Sequence, residues 1–412
     1  MVLSSDERKI VFTIAAVQFI NILDFIMVTP LAGDFALALD IKTSQIGLVA
    51  GSYTIAAGVS GLAGSTFWDR FERKRALAFC MFGLAVGTLV AALAVDLWTL
   101  VGARVLAGVF GGPATALSVA IVADAVPAER RGRAMGIVMA AFSLASILGV
   151  PLGLKMAELG TWRTPFVVVG LTAFLIMAAA LVLLPSMRDH IGQETDDERR
   201  HPLRFLQRGD VWLAYGLVAC AMSAGFMIFP NITAYVLFNL GYPRSELEIL
   251  YFVGGILSLI GMQVAGRLVD RVGAFPVGSA AIGVVVVLMY VLFIDFRPGF
   301  VLLPLFALFM MFMSVRAVAQ NTLTSQVPRP HERARFMSLQ SATQHFASSA
   351  GAIVSSFILV EGSDRSLVGL DTLTMVSIGL LCLIPILLKL LEGRVRATRA
   401  ALEAVPVVSQ VR

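Results

Sequence analysis

The stretch WDRFERKR, Trp68 to Arg75, is a short charged break between apolar runs, and it has a partial copy at 269–275, VDRVGAF. Asp69-Arg70 and Asp270-Arg271 stand 201 residues apart. Val126-Pro127 recurs as Val327-Pro328 at the same offset, and Arg133-Ala134-Met135 is echoed by Arg335-Phe336-Met337 at an offset of 202. So constant a shift across two separate breaks indicates two homologous halves in the same orientation. Parallel halves with a site between them describe a transporter that alternates access by rocking.

Composition says what the halves are made of. Of 412 residues, 58% are hydrophobic and 14% charged, with a mean hydropathy of +0.85. Apolar runs of about 18 residues or more recur along the whole length, each a candidate membrane helix. A β-barrel would show short alternating segments instead. The reading is an all-α membrane protein with twelve transmembrane helices in two pseudo-symmetric six-helix bundles. The expected spans are 10–32, 45–67, 76–95, 98–121, 134–156, 165–184, 211–236, 247–268, 275–294, 299–322, 336–360 and 369–391. The first is too long for a signal-peptide core and reads as a retained span. The longest polar stretch, Arg188 to Asp210, divides the spans six to six. This gives an N-terminal bundle at 1–185, a central loop at 186–210, a C-terminal bundle at 211–392 and a tail at 393–412.

Lys and Arg set the orientation. With a cytoplasmic N-terminus, 24 of the 32 fall in cytoplasmic segments, six in the opposite loops, and Arg104 and Arg316 inside spans. The positive-inside rule then places both termini in the cytoplasm of a multi-pass cell-membrane protein, the inner membrane if the source is bacterial. Cys80, Cys220 and Cys382 lie far apart inside apolar runs and read as small hydrophobic fillers.

The motifs carry a family resemblance. GRLVDRVG, Gly266 to Gly273, resembles the loop signature of the major facilitator superfamily, Gly-x-Leu-x-Asp-Arg-x-Gly. In the first half Ser65 and Glu72 replace its two glycines. LVGARVLAGVFGG, Leu100 to Gly112, resembles that superfamily's fourth-helix motif with a buried Arg. Leu148 to Phe166, with Gly149, Pro151 and Gly153, is similar to the fifth-helix motif of the drug and metabolite:proton antiporter branch, with Gly-Val-Pro where Gly-Pro is commonest. The resemblance implies efflux by alternating access. It also implies gating by Asp69, Arg70, Arg73, Gly266, Asp270, Arg271 and Gly273, whose charges would hold one face shut in one state. By themselves Gly149, Pro151 and Gly153 are also ordinary helix-packing residues.

Charges inside the spans are the candidate functional groups, because each costs roughly 2.5–3.5 kcal/mol to insert. VQFINILDFIMVTPL, Val17 to Leu31, carries Asp24 about 21 Å into its span, and Arg104 enters from the other side to a similar level. Burial opposes the charge on Asp24 and a nearby Arg favours it. Asp24 and Arg104 are therefore a proton-coupling switch, a static pair, or a substrate contact. The switch reading requires Asp24 to reach a water-accessible vestibule. Gln18 and Asn21 share its helix face and would line the cavity. In the second half, Arg316, Gln320 and Thr324 form one row. Gln340, Gln344 and Ser348 form another, beside Ser341 and His345, and Asn231 follows Pro230. Arg316, Gln320, Gln340, Gln344, His345 and Asn231 are the expected substrate-cavity residues. Arg316 either holds an anionic group or pairs with a neighbouring helix, and His345 is a packing residue or a proton relay.

The sequence has no Walker-type loop, no metal-ligand spacing and no nucleophile elbow. The expectation is therefore no enzyme, no cofactor, no metal and no nucleic acid. The partners are a small-molecule substrate, protons and the lipid bilayer, and the chain is expected to act as a monomer. Energy must come from an ion gradient, at about 2.3 kcal/mol per proton per 100 mV, or from the substrate's own gradient. The leading reading is proton-coupled efflux of small amphipathic drugs or metabolites. The alternatives are a symporter or uniporter importing a polar or anionic nutrient, and a lipid flippase or non-transporting sensor.

Overall fold

The computed structural model describes residues 4–188, 204–297, 301–329 and 333–403. The first six helices are α1 (Ser5–Ile26), α2 (Ile46–Phe67), α3 (Arg73–Ala92), α4 (Leu97–Ala125), α5 (Ala128–Leu144, continued by Ala145–Gly149 and Val150–Leu159) and α6 (Arg163–Leu183). The second six are α7 (Gly209–Ile228), α8 (Leu247–Val272), α9 (Ala274–Phe293), α10 (Leu302–Thr324), α11 (Arg333–Ile358) and α12 (Leu370–Glu403). These are the twelve expected spans. Among the described residues ten helices are long and apolar enough to cross a membrane. The others, α5 and α11, are diluted by the charged start AERRGR and by the polar row of α11.

Local chemistry sets several boundaries. At the start of α1 the Ser4 hydroxyl accepts the Glu7 N–H while the Glu7 carboxylate accepts the Ser4 N–H, a capping box that satisfies two orphan donors. Asp96 and Thr99 do the same for α4. In α5 the helix widens by a π turn at Ala145–Gly149 just before Pro151. Pro151 has no N–H for the preceding turn, and the π turn absorbs that loss. The expected packing role of Gly149 is visible here: a Cβ added to it would lie 2.4 Å from Leu23 of α1. Gly153 has only Met27 near it, at 4.0 Å. Pro230 ends the regular part of α7, which continues through a tight turn at Phe229–Asn231 and a wider one at Tyr235–Asn239.

Some boundaries differ from the expectation. The first span ends at Ile26, and a separate short helix, Ala32–Ala38, follows Pro30. The expected tail begins at 393, yet α12 runs on to Glu403. The loop before α12 holds a two-residue antiparallel ladder, Val360–Glu361 against Leu367–Val368. Residues 189–203 of the expected central loop lie outside the described residues.

The halves repeat in their packing as well as in their motifs. In the first, α2 packs on α4, α3 on α4 and α6, and α1 on α5 and α6. In the second, α8 packs on α10, α9 on α10 and α12, and α7 on α11 and α12. Each pair is its counterpart's image, as the 201-residue offset demands. The halves meet along two equivalent seams, α2 on α11 and α5 on α8. Small residues make the first seam tight: a Cβ on Gly47 would sit 2.0 Å from the Ala352 carbonyl, and Ser349 Oγ donates to the Gly51 carbonyl at 2.9 Å.

At the face away from the termini, polar contacts tie the halves together. Arg244 forks onto Asp34 with bonds of 2.9 and 2.6 Å. Arg365 donates to the Ala36 carbonyl at 3.0 Å and to Asp40 at 2.6 Å. The Thr43 N–H donates to Glu361 at 2.6 Å, and Lys155 lies 4.0 Å from Glu248. On the face bearing the termini, the pairs Arg73–Asp124, Arg130–Glu7 and Arg396–Glu392 each stay within one half. The conformation is one closed at the face away from the termini. In a background without native cysteines, the pair Asp34→Cys and Arg244→Cys should be joined by a short bifunctional thiol cross-linker that spans the length of the replaced arginine. Adding Gly47→Leu, whose side chain would press on the Ala352 carbonyl and on Ser355 and Ser356, should slow that cross-linking several-fold on a gel.

Candidate functional site

Asp24 of α1 and Arg104 of α4 meet as their depths suggested. Arg104 Nη1 lies 3.0 Å from both carboxylate oxygens, and Nη2 donates to the Asp24 backbone carbonyl at 3.2 Å. Thr88 of α3 donates to Asp24 Oδ1 at 2.7 Å, and the Tyr53 ring of α2 lies 4.6 Å from the guanidinium carbon. Four helices of one half therefore converge on one carboxylate, and Asp24 and Arg104 are 0% and 1% exposed. Glycines let α4 come close: a Cβ on Gly112 would lie 2.4 Å from the Ala57 carbonyl of α2. A buried charge pair is stable only when well aligned and otherwise hydrogen-bonded, which describes this one.

The expectation that this polar face lines the cavity is corrected. Asn21 donates to the Gly111 carbonyl and to Thr115, both at 2.9 Å, and accepts from the Tyr53 hydroxyl at 3.0 Å. Gln18 is 2% exposed and its Oε1 has no partner. Neither residue, nor Asp24, lines the central cavity, because the face turns inward onto α4. In this conformation the static pair is the arrangement found. Thr88 and Tyr53 are neighbours of the pair that the sequence reading missed. Depth was the available signal for Thr88, a lone hydroxyl in an apolar span.

The cavity is about 290 Å³ and lies mostly in the second half, walled by α7, α8 and α10 and covered by Phe25, Ile26, Pro30, Ile147 and Val150 of the first. Phe25 stacks on Phe226 across the boundary, with ring centroids 5.9 Å apart. Of the expected cavity set, Arg316 lines it. Gln320 supports Arg316, accepting from Nη1 at 2.8 Å. Asn231 bonds back to the Met227 carbonyl at 3.0 Å within its own helix. Gln340 is buried on α11 with Oε1 unpartnered, and Gln344 and His345 are half-buried. None of Asn231, Gln320, Gln340, Gln344 and His345 lines this cavity. His345 packs where α2 crosses: a Cβ on Gly58 would meet its Cβ at 3.0 Å.

The loop residues divide by half. Gly273 has φ +95°, a left-handed turn that glycine makes cheaply, and Glu392 of α12 accepts the Phe275 N–H there at 2.9 Å. Asp270 and Arg271 are exposed, and a side chain at Gly266 would meet open space. In the first half Arg70 is exposed and Arg73 pairs with Asp124 at 3.2 Å, while the side chain of Asp69 lies outside the described residues. Glu72, where the signature has glycine, accepts from Ser186 at 2.7 Å and pairs with Arg75 at 3.1 Å. The Ser186 hydroxyl, with Arg188 and Arg75, holds its carboxyl below the usual range. Among the described residues no cluster of His, Cys, Asp and Glu could hold a metal.

Asp24→Asn leaves Arg104 as an uncompensated buried cation and should cost about 3–5 kcal/mol. The double variant Asp24→Asn/Arg104→Gln should recover much of that loss. Thermal unfolding in detergent measures both; equal losses in the single and double variants would contradict the pairing energetics.

The comparisons with known proteins agree with this geometry. The family model described as Major Facilitator Superfamily matches residues 14–352 and 212–401. The "Uncharacterized MFS-type transporter YtbD" of Bacillus subtilis is 25% identical over 263 residues, 63% of each chain. A "Probable sugar efflux transporter" of Helicobacter acinonychis is 26% identical over 266 residues, 64% of this chain and 66% of that one. The alignments thus span a little under two thirds of these relatives. A bacterial homologue of the human lysosomal transporter Spinster, in an inward-facing and occupied conformation, superposes with a TM-score of 0.75 at 14% identity, covering 95% of this chain and 98% of that one. Twelve spans in two matched bundles, a shared cavity and a family match along nearly all of its length identify the chain as a member of the Major Facilitator Superfamily.

Proposed function

We propose that this transporter exports small amphipathic molecules across a cell membrane in exchange for protons, with both termini in the cytoplasm. On that orientation the conformation is closed to the outside. The observation that carries the reading is the short route between the buried charge pair and the cavity. Phe25 follows Asp24 in the chain; its ring lies 5.2 Å from Tyr53, which stacks on Arg104, and 5.9 Å from Phe226 in the cavity wall. A change in the pair is felt one ring layer away by whatever fills the cavity.

Asp24 is the one fully buried carboxylate among the described residues. It is the one described counter-charge of Arg104, and without it that cation would be buried unpaired. Proton uptake therefore has to accompany a rearrangement of the first bundle that brings water or another acceptor to Arg104. The water-accessible vestibule that the switch reading requires is not met by Asp24 in this conformation, so the coupling role rests on a second conformation in which it is. Export, the direction drawn from the antiporter-like fifth helix, is supported by the efflux transporter among the relatives. The exposed Asp270 and Arg271 fit a gate that is disengaged on the face bearing the termini and re-forms when that face closes.

Inside-out vesicles with an acid lumen test the proposal. A fluorescent amphipathic cation or anion should accumulate in the lumen and discharge the gradient as it enters. The double variant Asp24→Asn/Arg104→Gln should keep gradient-independent exchange and lose at least ten-fold of the gradient-driven accumulation. Normal accumulation with normal pH dependence in that variant would remove Asp24 from the mechanism.

A further inference from the structure

The two membrane-buried arginines have opposite surroundings. Arg104 is paired with a carboxylate. Arg316 of α10 is 4% exposed and borders the cavity, yet its described partner is the neutral Gln320, and Nε has none. A guanidinium offers five N–H donors. A buried cation with no counter-ion is costly, and in a membrane protein such a group marks a ligand or ion pathway.

The remaining polar groups of the wall are mostly occupied. Ser314 bonds the Met310 carbonyl at 3.0 Å, Ser377 bonds the Ala224 carbonyl at 2.8 Å, and the Tyr251 hydroxyl is 2.7 Å from Thr233. Ser258 Oγ is buried without a partner. The rest of the lining is apolar, aliphatic together with phenylalanine and methionine such as Phe226, Phe229, Phe306, Met222 and Met310. A sugar would have to bury many hydroxyls against this wall, where few partners are open, and each unmade bond costs about 1–3 kcal/mol. The volume of about 290 Å³ is at the small end for ligand pockets.

We propose that this cavity is a binding site for organic monoanions with a compact apolar body, the anionic group held by Arg316 with Ser258 as a second donor. The site deepens the export reading by naming its substrate class, but binding itself does not depend on direction or on proton coupling. Gln320 fixes the guanidinium by its Nη1; Nε and the Ser258 hydroxyl are buried and unpartnered beside the cavity, so the anionic group reaches them as the neighbouring side chains shift. Methionine and phenylalanine side chains give an adaptable apolar wall rather than a selective one.

The test uses the full chain purified in detergent, with 2-naphthoate, the neutral 2-naphthylmethanol and D-glucose as probes in equilibrium binding. Naphthoate should bind at least ten-fold more tightly than the alcohol, and glucose should not bind measurably. Arg316→Gln should abolish the preference for the anion while keeping the alcohol's affinity, and Arg316→Lys should keep part of the preference. Because no carboxylate is stranded, Arg316→Gln should melt no lower than the parent, unlike Arg104→Gln. Equal binding of naphthoate and the alcohol, preference for glucose, or a preference unchanged in Arg316→Gln would each overturn the site. So would a fall in melting temperature as large as that of Arg104→Gln, and so would chloride displacing naphthoate with naphthoate's own affinity. Binding as expected but without vesicle transport would count against the export reading and leave the site standing.

Discussion

The structure is organised around the cost of charge in a low-dielectric interior. Asp24 and Arg104 lie deep in the first bundle, and each is tolerable only because the other is 3.0 Å away. Satisfying that pair dictates which face of α1 turns inward, why α4 needs glycines where it passes α2, and why Thr88 and Tyr53 stand where they do. The polar face of α1 is consequently spent within its own bundle, and the cavity wall it presents to the other half consists of Phe25, Ile26 and Pro30.

The two bundles are copies in packing and differ in charge. Every major helix contact of the first has its image in the second, and both seams between halves obey the same symmetry. The first half neutralises its buried arginine internally. The second leaves Arg316 at the cavity wall with the neutral Gln320 as its described partner and a buried, unpartnered Nε. One bundle thus carries a self-contained ionic element and the other carries a cation at the cavity wall, with the Phe25–Phe226 stack between them. Division of labour of this kind lets the halves move against one another without breaking a charge pair across the cavity. The charge pairs described as crossing, Arg244–Asp34, Arg365–Asp40 and Lys155–Glu248, lie at the face away from the termini, where water can take over from them once they separate.

The fold was legible because the bilayer demands it. Long apolar runs can only be helices, the Asp-Arg repeat at 69–70 and 270–271 fixes the two-fold internal copy, and the depth count brought Asp24 and Arg104 together. The cavity was less legible. Helical periodicity says that Gln18, Asn21 and Asp24 share a face, and that Gln340 and Gln344 share another, but it does not say which neighbour that face meets. Asn21 found α4, and His345 found the α2 seam. Glu72 and Glu392 were invisible as partners because one replaces a motif glycine and the other sits more than a hundred residues from the turn it caps.

What the sequence determined by itself, then, is the class of molecule. Span number, the internal repeat and the presence of a few expensive buried charges follow from composition and spacing, since hydrophobic length and insertion cost are local properties of the chain. Tertiary structure decided how each charge is used. Whether a buried arginine is neutralised or left open depends on a carboxylate eighty residues away in one case and on the lack of one among its described neighbours in the other. That choice is made by the rotation and approach of packed helices, which small residues such as Gly47 and Gly112 set by distances of a few ångströms that no one-dimensional pattern records.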